Sequence, residues 1–248
     1  AAVGVYSNYT LVTKLMDAVA NKFFDALTAS IGHMLVIESK EEQVKRFRIC
    51  QFLTAFIASV ICTGLYTTFD SFMILWVGKN YLLDNAIVWI MIVLFYITFM
   101  RKNTQAFSNA AGLFWYDRYK AIVETIINIT ACVYLTKEYG IIGVVVGTII
   151  STMLTCFWVE PYIVSRYGIG MSLRKHFSDY ALFSIVTLVT AFFTNILYKS
   201  CFAEVTLVGF LAGMIICILI TCLVWWICFR KRMEFICLKD IVVGRWIN

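Results

Sequence analysis

Seven largely apolar runs, each about 20 residues or longer, follow one another along this chain with only short polar linkers between them. They fall at about 5–37, 49–72, 84–112, 118–137, 140–165, 178–199 and 204–229. A helix needs roughly 20 apolar residues to cross a hydrocarbon core of about 30 Å. The runs lack the alternation over about ten residues that marks a barrel strand, and only helices and closed barrels satisfy their backbones in lipid. These features predict an all-α fold, a polytopic transmembrane helical bundle of about seven spans. A soluble globule is excluded by area. The chain is 61% hydrophobic and 15% charged, against about 45–50% and about 25% in soluble domains, and 248 residues enclose too little interior to hide that surface.

The linkers give an orientation. Lys40, Lys45, Arg46 and Arg48 follow the first run, Arg118 and Lys120 the third, and Arg166, Arg174 and Lys175 the fifth. Arg230, Lys231, Arg232, Lys239 and Arg245 follow the last. The intervening linkers hold only Lys79, Lys137 and Lys199. Lys and Arg collect on the cytoplasmic side, so the alternation places the C-terminus in the cytoplasm and Ala1 outside. The net charge of +6 is spread over these clusters, which speaks for membrane topology and against nucleic acid. The linker ESKEEQVKRFR, residues 38–48, reads as a short amphipathic helix on anionic lipid. No initiator Met or signal peptide precedes Ala1-Ala2-Val3-Gly4, so the chain reads as the later part of a longer protein.

The first run carries charge where lipid is expected. On a wheel of about 100° per residue with Asp17 at zero, Thr10, Thr28, Asn21, Lys14, Gly32, Asp25 and Ser7 fall within a sector of about 80°. Met16, Val19, Phe23 and Leu27 lie opposite, and Lys22 sits on the margin of the stripe. An isolated charge at mid-bilayer costs roughly 2.5–3.5 kcal/mol on insertion scales, so such residues face protein or water. Two explanations are open. Lys14–Asp17 and Lys22–Asp25 can be internal i,i+3 pairs, or the stripe can line a hydrated cavity; its length favours the second. The third run adds Arg101, Lys102 and Gln105, and the fourth adds Glu124 and Asn128 one turn apart. The fifth carries Thr148, Thr152 and Thr155, then Glu160-Pro161. The last two runs have no charge in their interiors and read as lipid-facing or peripheral, with a small-residue packing patch at Gly209–Gly213.

Catalysis finds little support. There is no D-x-D or D-D-x-x-D cluster, P-loop, dinucleotide turn or G-x-S-x-G elbow. His33 and His176 suggest no metal site. The nine cysteines form no C-x-x-C pair and mostly sit in apolar runs, where they act as small hydrophobes. The expectation is a protein that is not an enzyme and holds neither metal nor cofactor.

Several segments together resemble one family. VGVYSNYTLV (Val3–Val12) leading to ASIGHML (Ala29–Leu35), and FMILWVGKNYLL (Phe72–Leu83) with its Trp76-Val77-Gly78, are similar to helices of the C-terminal lobe of bacterial polysaccharide flippases. So are FWYDRYKAIVETIIN (Phe114–Asn128), GIIGVVVGTIIST (Gly140–Thr152) and EPYIVSRYG (Glu160–Gly168). These are O-antigen and capsule transporters of the multidrug/oligosaccharidyl-lipid/polysaccharide superfamily. His33 stands where the family pattern has Asn. The resemblance implies that residues 1–170 form a C-terminal lobe lacking its first helix, that 171–229 add two peripheral helices, and that 230–248 form a basic cytoplasmic tail. It further implies an absent N-terminal lobe, a place in the bacterial inner membrane, and an undecaprenyl diphosphate-type lipid-linked oligosaccharide moved by alternating access.

Under that reading Lys14, Arg101, Lys102, Asn21, Gln105 and Asn128 are expected to contact pyrophosphate or sugar. Asp17, Asp25 and Glu124 are expected to balance charge or take a coupling proton or sodium ion. Expected partners are membrane lipid and a polysaccharide polymerase or glycosyltransferase complex. A cation-coupled drug exporter of the same superfamily is the first alternative, and a polytopic membrane enzyme of polysaccharide assembly the second. The expected cavity set has four cations (Lys14, Lys22, Arg101, Lys102) against three acids (Asp17, Asp25, Glu124), which leans mildly toward an anionic cargo.

Overall fold

The computed structural model describes residues 2–202 and 204–242, which include every residue named above as a site but neither Ala1 nor Arg245. The described residues are all-helical. Seven long helical segments occupy the seven runs: α1 (Ala2–Ile37), α2 (Lys40–Trp76), α3 (Asn85–Ala110), α5 (Lys120–Tyr139), α6 with α7 (Ile141–Leu154 and Cys156–Ile163), α8 (Leu173–Cys201) and α9 (Leu207–Phe229). Short α4 (Phe114–Asp117) precedes α5, and α10 (Met233–Val242) follows α9.

Among the described residues, five helices are long and apolar enough to cross a membrane: α2, α3, Ile141–Ile169, α8 and α9. Neither α1 nor α5 is one of them. α1 is interrupted by Lys14, Asp17, Lys22 and Asp25, and α5 by Lys120, Glu124, Lys137 and Glu138. Their length is sufficient; their polarity is what sets them apart.

Two boundaries differ from the sequence expectation. The linker at 38–48 is no separate surface helix, because Lys40–Arg48 are the first turns of α2. Glu41 and Glu42 lie in that opening turn, where the helix dipole favours acids. Gln43 Nε2 donates to the Leu35 and Glu38 carbonyls at 3.0 and 2.9 Å, closing the preceding helix end. The fifth run is broken. α6 stops at Thr155 (φ −116°, ψ −83°), Pro161 lies inside α7, and Val164–Ile169 continues as a π-helix. A proline removes one backbone donor and crowds the preceding turn, and a π turn is a common accommodation.

The chain divides into two compact units, one of residues 1–47 with 83–177 and the other of 48–82 with 178–248. In the first unit α1 packs on α3 through Tyr9, Ala20, Phe24 and Ile31. Phe24 meets Phe99 edge-on at 6.2 Å, and the Tyr9 hydroxyl accepts from the Leu83 N–H at 3.3 Å. α5 and α6 form a tight antiparallel pair turned at Gly140, whose φ of +59° suits glycine. A Cβ at Gly147 would lie 2.8 Å from Cys132 Sγ and 2.9 Å from its backbone nitrogen, so the helices meet backbone to backbone.

In the second unit Phe52, Phe183, Trp225 and Phe229 form an aromatic core, with Phe52 and Trp225 rings 5.1 Å apart. Trp225 Nε1 donates to Ser59 Oγ at 3.0 Å inside it. The Gly209–Gly213 patch is a packing site: a Cβ on Gly213 would fall 2.5 Å from the Tyr198 ring and 3.1 Å from Thr68. Arg48 pairs with Glu234, and Arg232 with Asp179 at 2.8 Å, which fastens α10 to the ends of α2 and α8.

Candidate functional site

The charged residues of the first unit gather around α3. Arg101 and Lys102 are consecutive, so their side chains leave the helix about 100° apart. Arg101 turns to α7. Its Nη2 and Nε donate to the two oxygens of Glu160 at 2.7 and 3.0 Å, a two-pronged pair. Glu160 Oε1 also accepts from Gln105 Nε2 at 3.2 Å and from Lys120 Nζ at 2.8 Å. Lys120 in turn donates to Asp117 Oδ2 at 2.6 Å. Glu160 is the hub of this cluster, its side chain only 3% exposed.

Lys102 turns to α1. Its ammonium lies 2.8 Å from Asp17 Oδ1 as an ion pair and donates a hydrogen bond to Asn21 Oδ1 at 2.5 Å. The lysine side chain is 9% exposed and the aspartate 40%, so the pair joins a buried cation to a half-solvated anion. A third group links α5 to α6: Asn128 Nδ2 donates to Ser151 Oγ at 3.0 Å, and Thr152 Oγ1 to Glu124 at 3.4 Å.

The polar stripe of α1 is thereby divided. The face on α3 spans the positions of Tyr9, Ala20, Phe24 and Ile31, and the stripe runs along its flank with Asp17 on the boundary. Lys14, Asn21, Lys22 and Asp25 are exposed. Among the described residues Lys14, Lys22 and Asp25 enter no ion pair, so the i,i+3 pairs Lys14–Asp17 and Lys22–Asp25 do not form. The hydroxyls of the stripe are satisfied by their own helix, as Thr28 donates to the Phe24 carbonyl at 2.8 Å and Ser7 to Gly4 at 2.7 Å.

Of the expected site residues, Arg101 and Gln105 fall in the first group, Lys102, Asp17 and Asn21 in the second, and Glu124 and Asn128 in the third, while the centre of the largest group lies outside that set. Glu160, Lys120 and Asp117 are not among the expected site residues, Lys120 entering the sequence reading only as a linker cation. The available signal was the acid itself, since an ionisable residue within an apolar run of this kind is a functional candidate on cost alone. Adding the Glu160 cluster to the expected cavity set gives five acids (Asp17, Asp25, Asp117, Glu124, Glu160) and five cations (Lys14, Lys22, Arg101, Lys102, Lys120). Arg101 and Lys102, expected to meet an anionic ligand, are each already bound to a carboxylate. Of the three expected cations, Lys14 is the one that carries no counter-charge.

Among the described residues no three His, Cys, Asp or Glu side chains gather as a metal site would require. His33 is exposed, and the His176 ring lies against Phe47 and Phe177. All nine cysteines are free thiols. A depression lined by Cys132, Val133, Thr136 and Lys137 on α5 touches none of the predicted contact residues. Compared with family models, with curated proteins and with solved structures, the chain matches none.

Proposed function

We propose that this chain is part of a membrane transporter, a flippase that moves a lipid-linked oligosaccharide of the undecaprenyl diphosphate type across a bacterial inner membrane by alternating access. The observation that carries the reading is the amphipathic division of α1. A 36-residue helix is about 54 Å long at 1.5 Å per residue, more than a bilayer core. One of its faces is buried on α3 and the adjoining face presents Lys14, Asn21, Lys22 and Asp25. A helix built so serves a polar passage better than it serves lipid. The cargo is supplied by the segment resemblance. On this reading α1 and α5 are spans as well, giving seven, and their polarity is the reason they cross beside other helices or water.

Pairing of Arg101 and Lys102 changes the roles within that reading. Both become structural cations that hold α7 and α1 to α3, while Lys14 and Asn21 are the groups offered to a diphosphate or sugar. The balance of five acids and five cations gives the cation-coupled drug exporter a specific observation in its favour, and it stands as the second reading. The test is complementation of a strain lacking its polysaccharide flippase by the full-length gene. Lys14→Ala and Asp25→Ala should abolish or sharply reduce surface polymer at normal protein abundance. Normal polymer from both variants, with drug efflux impaired instead, would move the protein to the exporter class.

A further inference from the structure

The loop between α3 and α5 holds an arginine unlike those in the helices. Arg118 is exposed and, among the described residues, pairs with no carboxylate. Its guanidinium carbon lies 3.6 Å from the centre of the Trp115 ring and 4.6 Å from that of Tyr119. A guanidinium that lies on aromatic faces keeps its in-plane N–H donors available for an oxyanion. Its acidic neighbour Asp117 pairs with Lys120 at 2.6 Å and not with Arg118.

The platform is held in place from below. Gly112, at φ +65°, turns the chain out of α3, and Leu113 is buried against Gly168. Tyr116 stacks on Tyr167 with ring centres 3.8 Å apart and planes within 10°. Trp115 and Tyr119 nevertheless remain 70% and 63% exposed. Large aromatic rings standing at the end of an apolar helix belong to the headgroup layer, where one part of the ring meets acyl chain and another meets water.

We infer that Arg118, Trp115 and Tyr119 form a binding site for the phosphate of an anionic lipid headgroup. Charge complementarity selects the anion, and the position of the rings selects a lipid over a soluble ligand. The inference rests on the membrane reading of α3 and is independent of the transport reading, although a polyprenyl diphosphate offers the same chemistry as a phospholipid and would be captured here from its leaflet.

Native mass spectrometry of the purified full-length protein tests it with four probes: phosphatidylglycerol, phosphatidylcholine, undecaprenyl diphosphate and inorganic phosphate. The wild type should bind phosphatidylglycerol at least about fivefold more tightly than phosphatidylcholine, with Arg118→Gln erasing the difference. Trp115→Leu with Tyr119→Leu should weaken the same lipid while retaining the charge. Arg230→Gln is the control, because Arg230 lies over the single ring of Trp226 at a looser 5.2 Å, and it should leave binding unchanged. Equal losses in Arg118→Gln and Arg230→Gln would reduce the effect to general surface charge and overturn the site. So would wild-type affinity in Arg118→Gln, or competition by inorganic phosphate as strong as by lipid. If phosphatidylglycerol binds as expected and undecaprenyl diphosphate binds no better than phosphatidylcholine, the site stands as a phospholipid site, capture of the polyprenyl diphosphate at this loop falls, and the transport reading is decided by the complementation test alone.

Discussion

Arg101 and Glu160 meet across α3 and α7 through two parallel hydrogen bonds of 2.7 and 3.0 Å, with the carboxylate almost wholly removed from solvent. Glu160 is the residue immediately before the proline of a broken helix. The pair thus ties the least regular segment of the first unit to one of its apolar helices, and Gln105 and Lys120 add two more donors to the same carboxylate.

Glu160→Ala leaves Arg101 and Lys120, both largely withdrawn from solvent, without their shared carboxylate, and only Lys120 keeps Asp117. Breaking a buried pair from one side costs about 3–5 kcal/mol, whereas replacing both partners by apolar groups is often neutral. Glu160→Ala should therefore lower the unfolding midpoint in mild detergent strongly, and Arg101→Leu with Glu160→Leu should recover most of the loss. A single variant as stable as the wild type would show that the cluster holds nothing together.

The Asp17–Lys102 contact should behave differently because its anion is half in solvent. Double-mutant cycles for such pairs give about 0.2–1 kcal/mol, and Asn21 remains as a second acceptor for the ammonium. Asp17→Asn is expected to be mild, while Asp17→Ala with Asn21→Ala strands Lys102 and should cost more than the two single changes summed. Strict additivity in the cycle would sink this arrangement.

Gly147 offers a steric test. A side chain there meets the backbone of Cys132 below 3.0 Å, and the helix cannot yield without separating α5 from α6. Gly147→Val should destabilise by at least about 1–3 kcal/mol, the usual range for overpacking, and break the Asn128–Ser151 bond. Val146→Ala, one position away and outside that contact, is the comparison, and equal thermal midpoints for the two would contradict the close approach.

In the second unit Ser59→Ala leaves the Trp225 indole N–H without its acceptor in a buried site. An unsatisfied buried donor costs about 1–3 kcal/mol, and Trp225→Phe with Ser59→Ala removes both polar partners at once. The double variant should lose less than Trp225→Phe and Ser59→Ala lose in sum, as measured by thermal unfolding in detergent.

The helices were legible because their cause is local. The long apolar runs and the short polar linkers between them are visible in the letters. The wheel of α1 likewise placed Asp17, Asn21 and Lys14 along one stripe. Partnership was not legible, because it is decided across the sequence. Fifty-nine residues separate Arg101 from Glu160, and 81 separate Lys102 from Asn21. Charges counted along the chain overstated the free cations, since the count cannot register which of them a distant carboxylate already holds. The break at Thr155 escaped for a different reason: threonine carries no breaker signal, and Pro161 lies six residues further on, inside the next helix.

The adjacency of Arg101 and Lys102 has a mechanical meaning. One side chain is keyed into α7 and the next into α1, about 100° away around the same helix. α3 cannot turn on its axis, or slide by a fraction of its pitch, without opening both locks together. Withdrawal of α1 leaves Lys102 uncompensated while Arg101 still pins the helix. The three helices therefore share a single angular register, set by two neighbouring letters, and a rearrangement of this unit must either carry them as one body or unlock them in order.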